Sequence, residues 1–440
     1  MMKDMTVGRP ARLMLSFALP MLVGNIFQQL YNVVDTIIVG RFVGREALAA
    51  VGSSFAIMVL INSIILGLAM GASVLFSQLY GAKDYKGLKK SIIMATVFIL
   101  TVTLVLSVIT FLSTDTIIRL YKMPSETVKY ATDYLRCIFA GMIFVSLYNI
   151  AANVLRSLGD SKTPLYFLLI ACFINIVLDL WLVVGMGMEV FGAAIATVIA
   201  QAVSGIACAW FTMHKIKFLK FERNDAVFDG TLFRTMGKYA FLTSIQQSVM
   251  NFGIVMIQGL VNTFGSALMA AFSAGVKIDA FAYMPVQDFG NAFSTYTAQN
   301  VGAGNTQRVR QGLKIAAIIT GVFSVLVTVV VILLAKPLIG LFVKAEDVEV
   351  IAIGVKYLYI EGAFYILIGF LFMFYGFYRG LGLASMSIVL TVVSLGTRVL
   401  LAYLLAPSLG YTMIFWAIPI GWLLADLVGI GTWLRVKQLN

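Results

Sequence analysis

The stretch LYNVVDTIIVGRF, residues 30–42, sets a carboxylate, Asp35, inside a run of apolar residues whose nearest flanking charge is Arg41. What a chain gains from placing Asp35 there depends on the solvent around the run, and the rest of the sequence identifies that solvent. Of 440 residues, 60% are hydrophobic and 12% charged, where a soluble domain has about 45–50% and 25%. Mean hydropathy is +0.95. Apolar windows of about 20 residues, enough to cross a ~30 Å hydrocarbon core, recur along the whole length. The runs are continuous rather than alternating, which excludes a β-barrel. The pattern predicts an all-α polytopic membrane protein.

Twelve spans fit, roughly at 14–38, 48–79, 91–113, 132–154, 164–186, 191–213, 237–262, 267–299, 312–335, 353–377, 384–406 and 411–434. The opening MMKDMTVGRPARLMLSFALP is basic and then apolar, but it has no small-residue cleavage site and runs straight on to Val39, so it reads as a retained first span. Loops on the side of the N-terminus hold most of the 32 Lys and Arg, including KDYKGLKK (83–90) and HKIKFLKFER (214–223). That asymmetry predicts a multi-pass protein of the cell (inner) membrane with both termini in the cytoplasm. It also accounts for the net charge of +12 as topology, so no nucleic-acid partner is expected. Cys137, Cys172 and Cys208 are unspaced singletons in apolar runs and read as packing residues.

The chain repeats itself. QLYGAKDYKGLKK (78–90) returns as QNVGAGNTQRVRQ (299–311), FQQLYNVVD (27–35) as IQQSVMNFG (245–253), and RSLGD (156–160) as RGLGL (379–383). The order is kept and the offsets lie close together. The expected organisation is therefore an N-terminal six-helix lobe over 1–213, a cytoplasmic linker over 214–236 and a C-terminal six-helix lobe over 237–440. Six spans is an even number, so the two pseudo-symmetric lobes enter from the same side, as a parallel repeat about an axis along the membrane normal. Gly67 and Gly71 in GLAMG, with Gly376 and Gly380, suit close helix packing. Pro20, Pro285 and Pro419 are expected to bend or break their spans.

A carboxylate at span depth costs on the order of 3 kcal/mol or more and marks an ion or proton path. Asp35 is one. In FINIVLDLWLV (173–183), Asn175 and Asp179 are four apart and share a helical face, and Thr197 in GAAIATVIAQ (192–201) brings a hydroxyl to comparable depth. Asp35, Asn175, Asp179 and Thr197 together form a set of hard oxygen ligands, suited to Na⁺ or to a proton shared between carboxylates. Under the repeat their counterparts are Gly253 for Asp35, Arg398 for Asn175 and Ala402 for Asp179, so only the first half has this set. The second half offers Gln246, Gln247, Lys277, Asp288, Glu361 and Arg398 as substrate-cavity candidates, with Asp279 also at span depth. Lys277 and Asp279 are two apart on a helix, cannot face each other, and each needs another partner. Tyr31, Tyr148, Phe144, Met142, Met250, Met256 and Met284 are candidates for a soft cavity wall.

Catalysis is not expected. The single histidine, His214, lies in the central basic loop, and GDSKTP (159–164) lacks the Gly-Lys pair of a phosphate loop, so it reads as a turn before a proline-started helix. With no hydrolytic motor in the sequence, transport must draw on an ion gradient.

At this point the chain resembles the multidrug and toxic compound extrusion (MATE) family. The resemblance rests on twelve spans in two lobes, Asp35 preceded by Pro20, the Gln-x-x-Gly-Ala motif in both halves, and RSLGDSKTP (156–164). It covers essentially the whole chain. It implies a secondary antiporter that exports organic, often cationic, compounds in exchange for Na⁺ or H⁺ by alternating access, with no cofactor beyond the coupling ion. It also implies that Asp35 is the essential acidic residue and that Asn175, Asp179 and Thr197 complete a cation site with it. Some members carry a glutamate on the seventh span, where this chain has Gln246, Gln247 and Asn251. Pro20 and Gly24 are expected points of give in the first helix, and the protein is expected to work as a monomer in the bilayer. The alternative is a lipid-linked saccharide flippase of the same superfamily. That reading calls for a strongly cationic cavity, and here only Lys277 and Arg398 are basic at mid-span.

Overall fold

The computed structural model describes residues 3–121, 123–216, 227–344 and 346–435. The order is α1 (Pro10–Phe42), α2 (Arg45–Gly81), α3 (Tyr85–Leu112), short α4 (Thr114–Leu120), α5 (Ser125–Ser157), α6 (Lys162–Asp179), a π-helical turn (Leu180–Gly185) and α7 (Glu189–Lys215). It continues with α8 (Gly230–Asn262), α9 (Ser266–Gly302), α10 (Thr306–Gly340), α11 (Val348–Gly362), α12 (Tyr365–Gly380), α13 (Ala384–Leu409) and α14 (Thr412–Arg435). Among the described residues eleven helical segments are long and apolar enough to cross a membrane, and α11 with α12 makes a twelfth, bent by 52°.

The internal repeat is written in the backbone. α1 and α8 each have 33 residues, and α2 and α9 each have 37. Left-handed residues recur in pairs at the helix ends: Gly44 with Gly265, Lys83 with Gly304, Gly159 with Gly382, and Gly187 with Gly410. Turns that reverse a helix in so few residues need this conformation, which glycine adopts without a steric penalty.

The chain forms two compact units. One comprises Leu19–Ser244 with the segment ending at Asp4, and the other comprises Met5–Ala18 with Ile245 onward. The division thus falls inside α1 and inside α8, rather than at the expected bounds of 213 and 237. The expected linker begins within α7, at His214 and Lys215, and ends within α8, while residues 217–226 lie outside the described part. In the first unit α5 is central and packs on α2, α3 and α7. A Cβ on Gly205 of α7 would lie 2.7 Å from the Phe144 carbonyl oxygen of α5, and one on Gly71 of α2 would run into the Tyr239 carbonyl of α8. In the second unit α9 packs on α10, α11 and α12, and a Cβ on Gly376 of α12 would meet the Gly290 carbonyl of α9. These glycines let backbones touch, as membrane helices need when hydrophobic burial no longer drives their association.

The repeated motifs prove to be fasteners. In the second unit the Met5 amide donates to Gln299 Oε1 at 2.9 Å, Asn300 Nδ2 donates to the Met5 carbonyl at 3.1 Å, and an Arg308 guanidinium nitrogen donates to the Gly8 carbonyl at 3.0 Å. In the first unit Asp84 caps α3 by accepting from the Gly87 amide at 2.9 Å. GDSKTP is likewise a capped turn: Asp160 accepts from the Thr163 amide at 3.0 Å and from the Thr163 hydroxyl at 2.8 Å. Burial works against the Asp160 carboxylate, but these bonds to its charged form outweigh it and hold its pKa below the usual value.

The helix break does not fall at the prolines. α1, α9 and α14 run as single helices through Pro20, Pro285 and Pro419. The break that exists, between Gly362 and Tyr365, has no proline and divides the span expected over 353–377. Ala363 and Phe364 leave the helical ladder there, while Gly362 offers its carbonyl to the Thr328 hydroxyl of α10 at 2.6 Å. A side chain inserted into the ladder is one of the established causes of a sharp kink.

Candidate functional site

In the first unit α1, α6 and α7 bring together the four residues that the sequence singled out. Asp35, Asn175 and Asp179 are buried, Asp179 completely, and Thr197 is half-buried. The spacing of four puts Asn175 and Asp179 one turn apart on α6, and Asp179 faces Asp35 of α1 at hydrogen-bonding range. Oriented by its neighbours, the Asn175 amide donates to Asp179 Oδ2 at 3.2 Å and accepts from the Thr197 hydroxyl at 3.2 Å and the Thr197 amide at 3.3 Å. The chain Thr197–Asn175–Asp179–Asp35 is therefore continuous, and it ends in two carboxylates. One oxygen of each, Asp35 Oδ1 and Asp179 Oδ1, has no hydrogen-bond partner.

The surroundings are apolar. Ile38, Val39, Val183, Ala193 and Ala194 pack into one buried cluster with Tyr134. Two facing carboxylates in such a setting repel each other and lose hydration, so something positive has to stand between them. The set supplies oxygens only, from two carboxylates, one amide and one hydroxyl. That chemistry fits a hard monovalent cation such as Na⁺, or a proton shared by the pair.

Local backbone favours a site here. α6 ends as an α-helix at Asp179 and widens at once into the π-helical turn Leu180–Gly185, which re-aims the residues before it. Glu189, the first residue of α7, has a left-handed backbone at φ 52°, an uncommon conformation for a side chain of that size. Gly24, expected as a point of give, lies where α1 approaches α6: a Cβ there would stand 3.2 Å from Leu168 Cδ2.

The second-half candidates do not assemble as one cavity lining. Gln246, Gln247 and Asp288 are buried, and Gln246 Oε1 has no hydrogen-bond partner. Lys277 is exposed, with its Nζ 5.8 Å from the centre of the Phe342 ring, a cation–π contact that keeps it apart from the others. Glu361 lies against Asp279, the carboxylate noted at span depth in the sequence but left outside the cavity set. Asp279 accepts hydrogen bonds from the hydroxyls of Tyr357 and Tyr365, Glu361 joins it by a further bond, and the Arg398 charge lies nearby. The missed signal was the pair of tyrosines on either side of Glu361-Gly362, placed to straddle the break between α11 and α12. Of the expected soft wall, Met142 and Tyr148 are core residues, and Tyr148 donates to the Pro164 carbonyl at 3.1 Å.

Comparison with known proteins adds four findings. The MatE family model matches residues 20–181 and 240–404. "Probable multidrug resistance protein YpnP" of Bacillus subtilis (strain 168) is 29% identical over 392 residues, covering 89% of this chain and 87% of that protein. "Probable multidrug resistance protein YoeA" of the same strain is 29% identical over 348 residues, covering 78% and 75%. A solved structure described as the outward-facing conformation of a multidrug resistance MATE family transporter superimposes with a TM-score of 0.92 over 99% of this chain and 98% of that one. At 23% identity that likeness concerns the fold.

Proposed function

The chain belongs to the MatE family of multidrug efflux transporters, and from that premise we propose that it is a secondary antiporter. In this reading it exports organic cations in exchange for Na⁺ or H⁺, and Asp35, Asn175, Asp179 and Thr197 hold the coupling ion. The observation that carries the reading is the pair of buried carboxylates on α1 and α6, facing each other with one unpartnered oxygen apiece. An ion arriving between them relieves repulsion and lets α1 and α6 close; its departure lets them part. An ion shifts a conformational equilibrium only through its different affinity for the two states. A site whose empty form is strained has that difference built in. α1 is the moving element in this scheme, with Pro20 removing one backbone hydrogen bond and Gly24 setting how near α6 it can pack.

The protein works here as a monomer in the cell membrane, since one chain carries both sets of six spans, and the Lys and Arg bias puts both termini in the cytoplasm. The test is export of a fluorescent organic cation from proteoliposomes under separately imposed Na⁺ and proton gradients. Wild type should respond to one of the two, and Asp35→Asn to neither. Gradient-driven export by Asp35→Asn at the wild-type rate would remove Asp35 from the mechanism.

A further inference from the structure

The second unit contains a cavity that the coupling scheme does not use. It has a volume of about 470 Å³ and opens between the first turns of α10, the middle of α12 and the last turns of α14. Its size falls in the range of about 300–1,000 Å³ typical of small-molecule sites. The walls are mostly apolar, with Leu313 and the three aromatic rings of Phe370, Phe374 and Trp433 among them. The same cavity is lined by Asp426 of α14, which is only 4% exposed and has no hydrogen-bond partner on either oxygen. The wall behind it is rigid: Tyr378 of α12 donates to the Gly429 carbonyl of α14 at 2.6 Å, and a Cβ on Gly429 would lie 3.0 Å from the Phe374 ring. The carboxylate is no relic of the internal repeat. At the offset of Gly187 to Gly410, the counterpart of Asp426 is Val203.

A buried carboxylate with neither a hydrogen bond nor a counter-ion costs several kcal/mol, and a protein retains one where something from outside completes it. Apolar walls with three aromatic rings around a single negative charge select a bulky hydrophobic body with a positive centre, since aromatic faces also attract cations. Arg310 and Lys314 line the cavity as well, but both are exposed at its mouth. There water and salt screen their repulsion over about 8–10 Å, whereas attraction to the buried carboxylate acts in a low dielectric and dominates. The mouth lies at the end of the bundle where α10 begins and α14 finishes.

We propose that the cavity between α10, α12 and α14 is a binding site for a lipophilic organic cation, with the positive centre held against the Asp426 carboxylate. The proposal stands apart from the coupling site in the first unit. The test uses tritiated tetraphenylphosphonium and purified full-length protein in nanodiscs, in an Asp35→Asn background so that the first-unit carboxylate does not contribute. Two variants are compared there: Asp426→Asn, which removes the charge, and Ala317→Trp, which fills the cavity and keeps the acid. Each is expected to weaken binding at least tenfold, and tetraphenylborate, the anion of the same shape, is expected not to bind. Unchanged affinity in Ala317→Trp overturns the proposal even if Asp426→Asn fails to fold, and so does equal binding of the borate.

Discussion

Replacing Asp35 by Asn is expected to stabilise the protein while stopping transport, and the size of the effect follows from the geometry of the pair. The two carboxylates face each other at hydrogen-bonding range, among apolar side chains. Two unit charges about 4 Å apart in an effective dielectric near 20 repel by about 4 kcal/mol. An asparagine of the same shape removes that repulsion and offers Asp179 a donor, so a gain of about 2–4 kcal/mol is expected where both carboxyls would otherwise be ionised. In acid a proton already sits between them, and the gain should shrink to less than about 1 kcal/mol. The assay is thermal unfolding of purified protein by intrinsic fluorescence between about pH 5 and about pH 9. The variant should melt above wild type, with the gap widening as pH rises. A second arm adds Na⁺ at constant ionic strength: at one hundred times the dissociation constant it should stabilise wild type by about 2.7 kcal/mol and leave Asp35→Asn unmoved, if Na⁺ is the coupling ion. A variant that melts below wild type at every pH would refute the reasoning, because the carboxylate would then be stabilising the fold rather than straining it.

Three other outcomes are expected. Gly376→Ala drives a methyl group into the Gly290 carbonyl and should cost about 1–3 kcal/mol, read as a fall in melting temperature; unchanged melting would show that α9 and α12 can separate freely. Asp279→Ala strips the acceptor from the hydroxyls of Tyr357 and Tyr365 and should cost about 1–3 kcal/mol per orphaned group, while export per folded molecule stays near wild type; a selective loss of export would make that network part of the transport cycle. Asp160 is held below its usual pKa of 3.8, so its contribution to stability is complete above that value and is lost as pH falls through the lower folded value. Asp160→Asn should therefore lower melting at neutral pH and flatten the decline below about pH 4, and parallel curves for the two proteins would count against the cap.

The spans were legible because hydrophobic length is a strong signal and loops between them are short. The grouping of the first-unit residues was legible because about four residues make one helical turn, which sets Asn175 beside Asp179. The break between α11 and α12 was not, since Ala363 and Phe364 are as apolar as their neighbours and the prolines drew attention elsewhere. Pro20, Pro285 and Pro419 leave their helices unbroken because one missing amide bond in a well-packed span is absorbed by its neighbours. The Asp279 network was hidden by distance, its two tyrosines lying 78 and 86 residues away along the chain. Lys277 misled for a different reason: a long side chain at span depth can reach the end of a neighbouring helix, and depth in sequence does not fix the depth of the charge.

The exchange of helix ends between the two units bears on how the chain is made. Met5–Ala18 leave the ribosome well before the rest of the unit they belong to, which resumes at Ile245. At about 5–20 residues per second, roughly 10–45 s pass before the first partners of that segment are synthesised. During that interval Gln299, Asn300 and Arg308, which later fasten Met5 and Gly8, do not exist. The first unit waits too, because Gly67 and Gly71 of α2 pack against backbone of the first half of α8. A gene cut in the polar stretch after α7 would therefore yield two fragments that each carry a strip of the other unit's interior and lack one of their own. Co-expression of both should rescue insertion where either alone is degraded, since neither six-span half is a finished module.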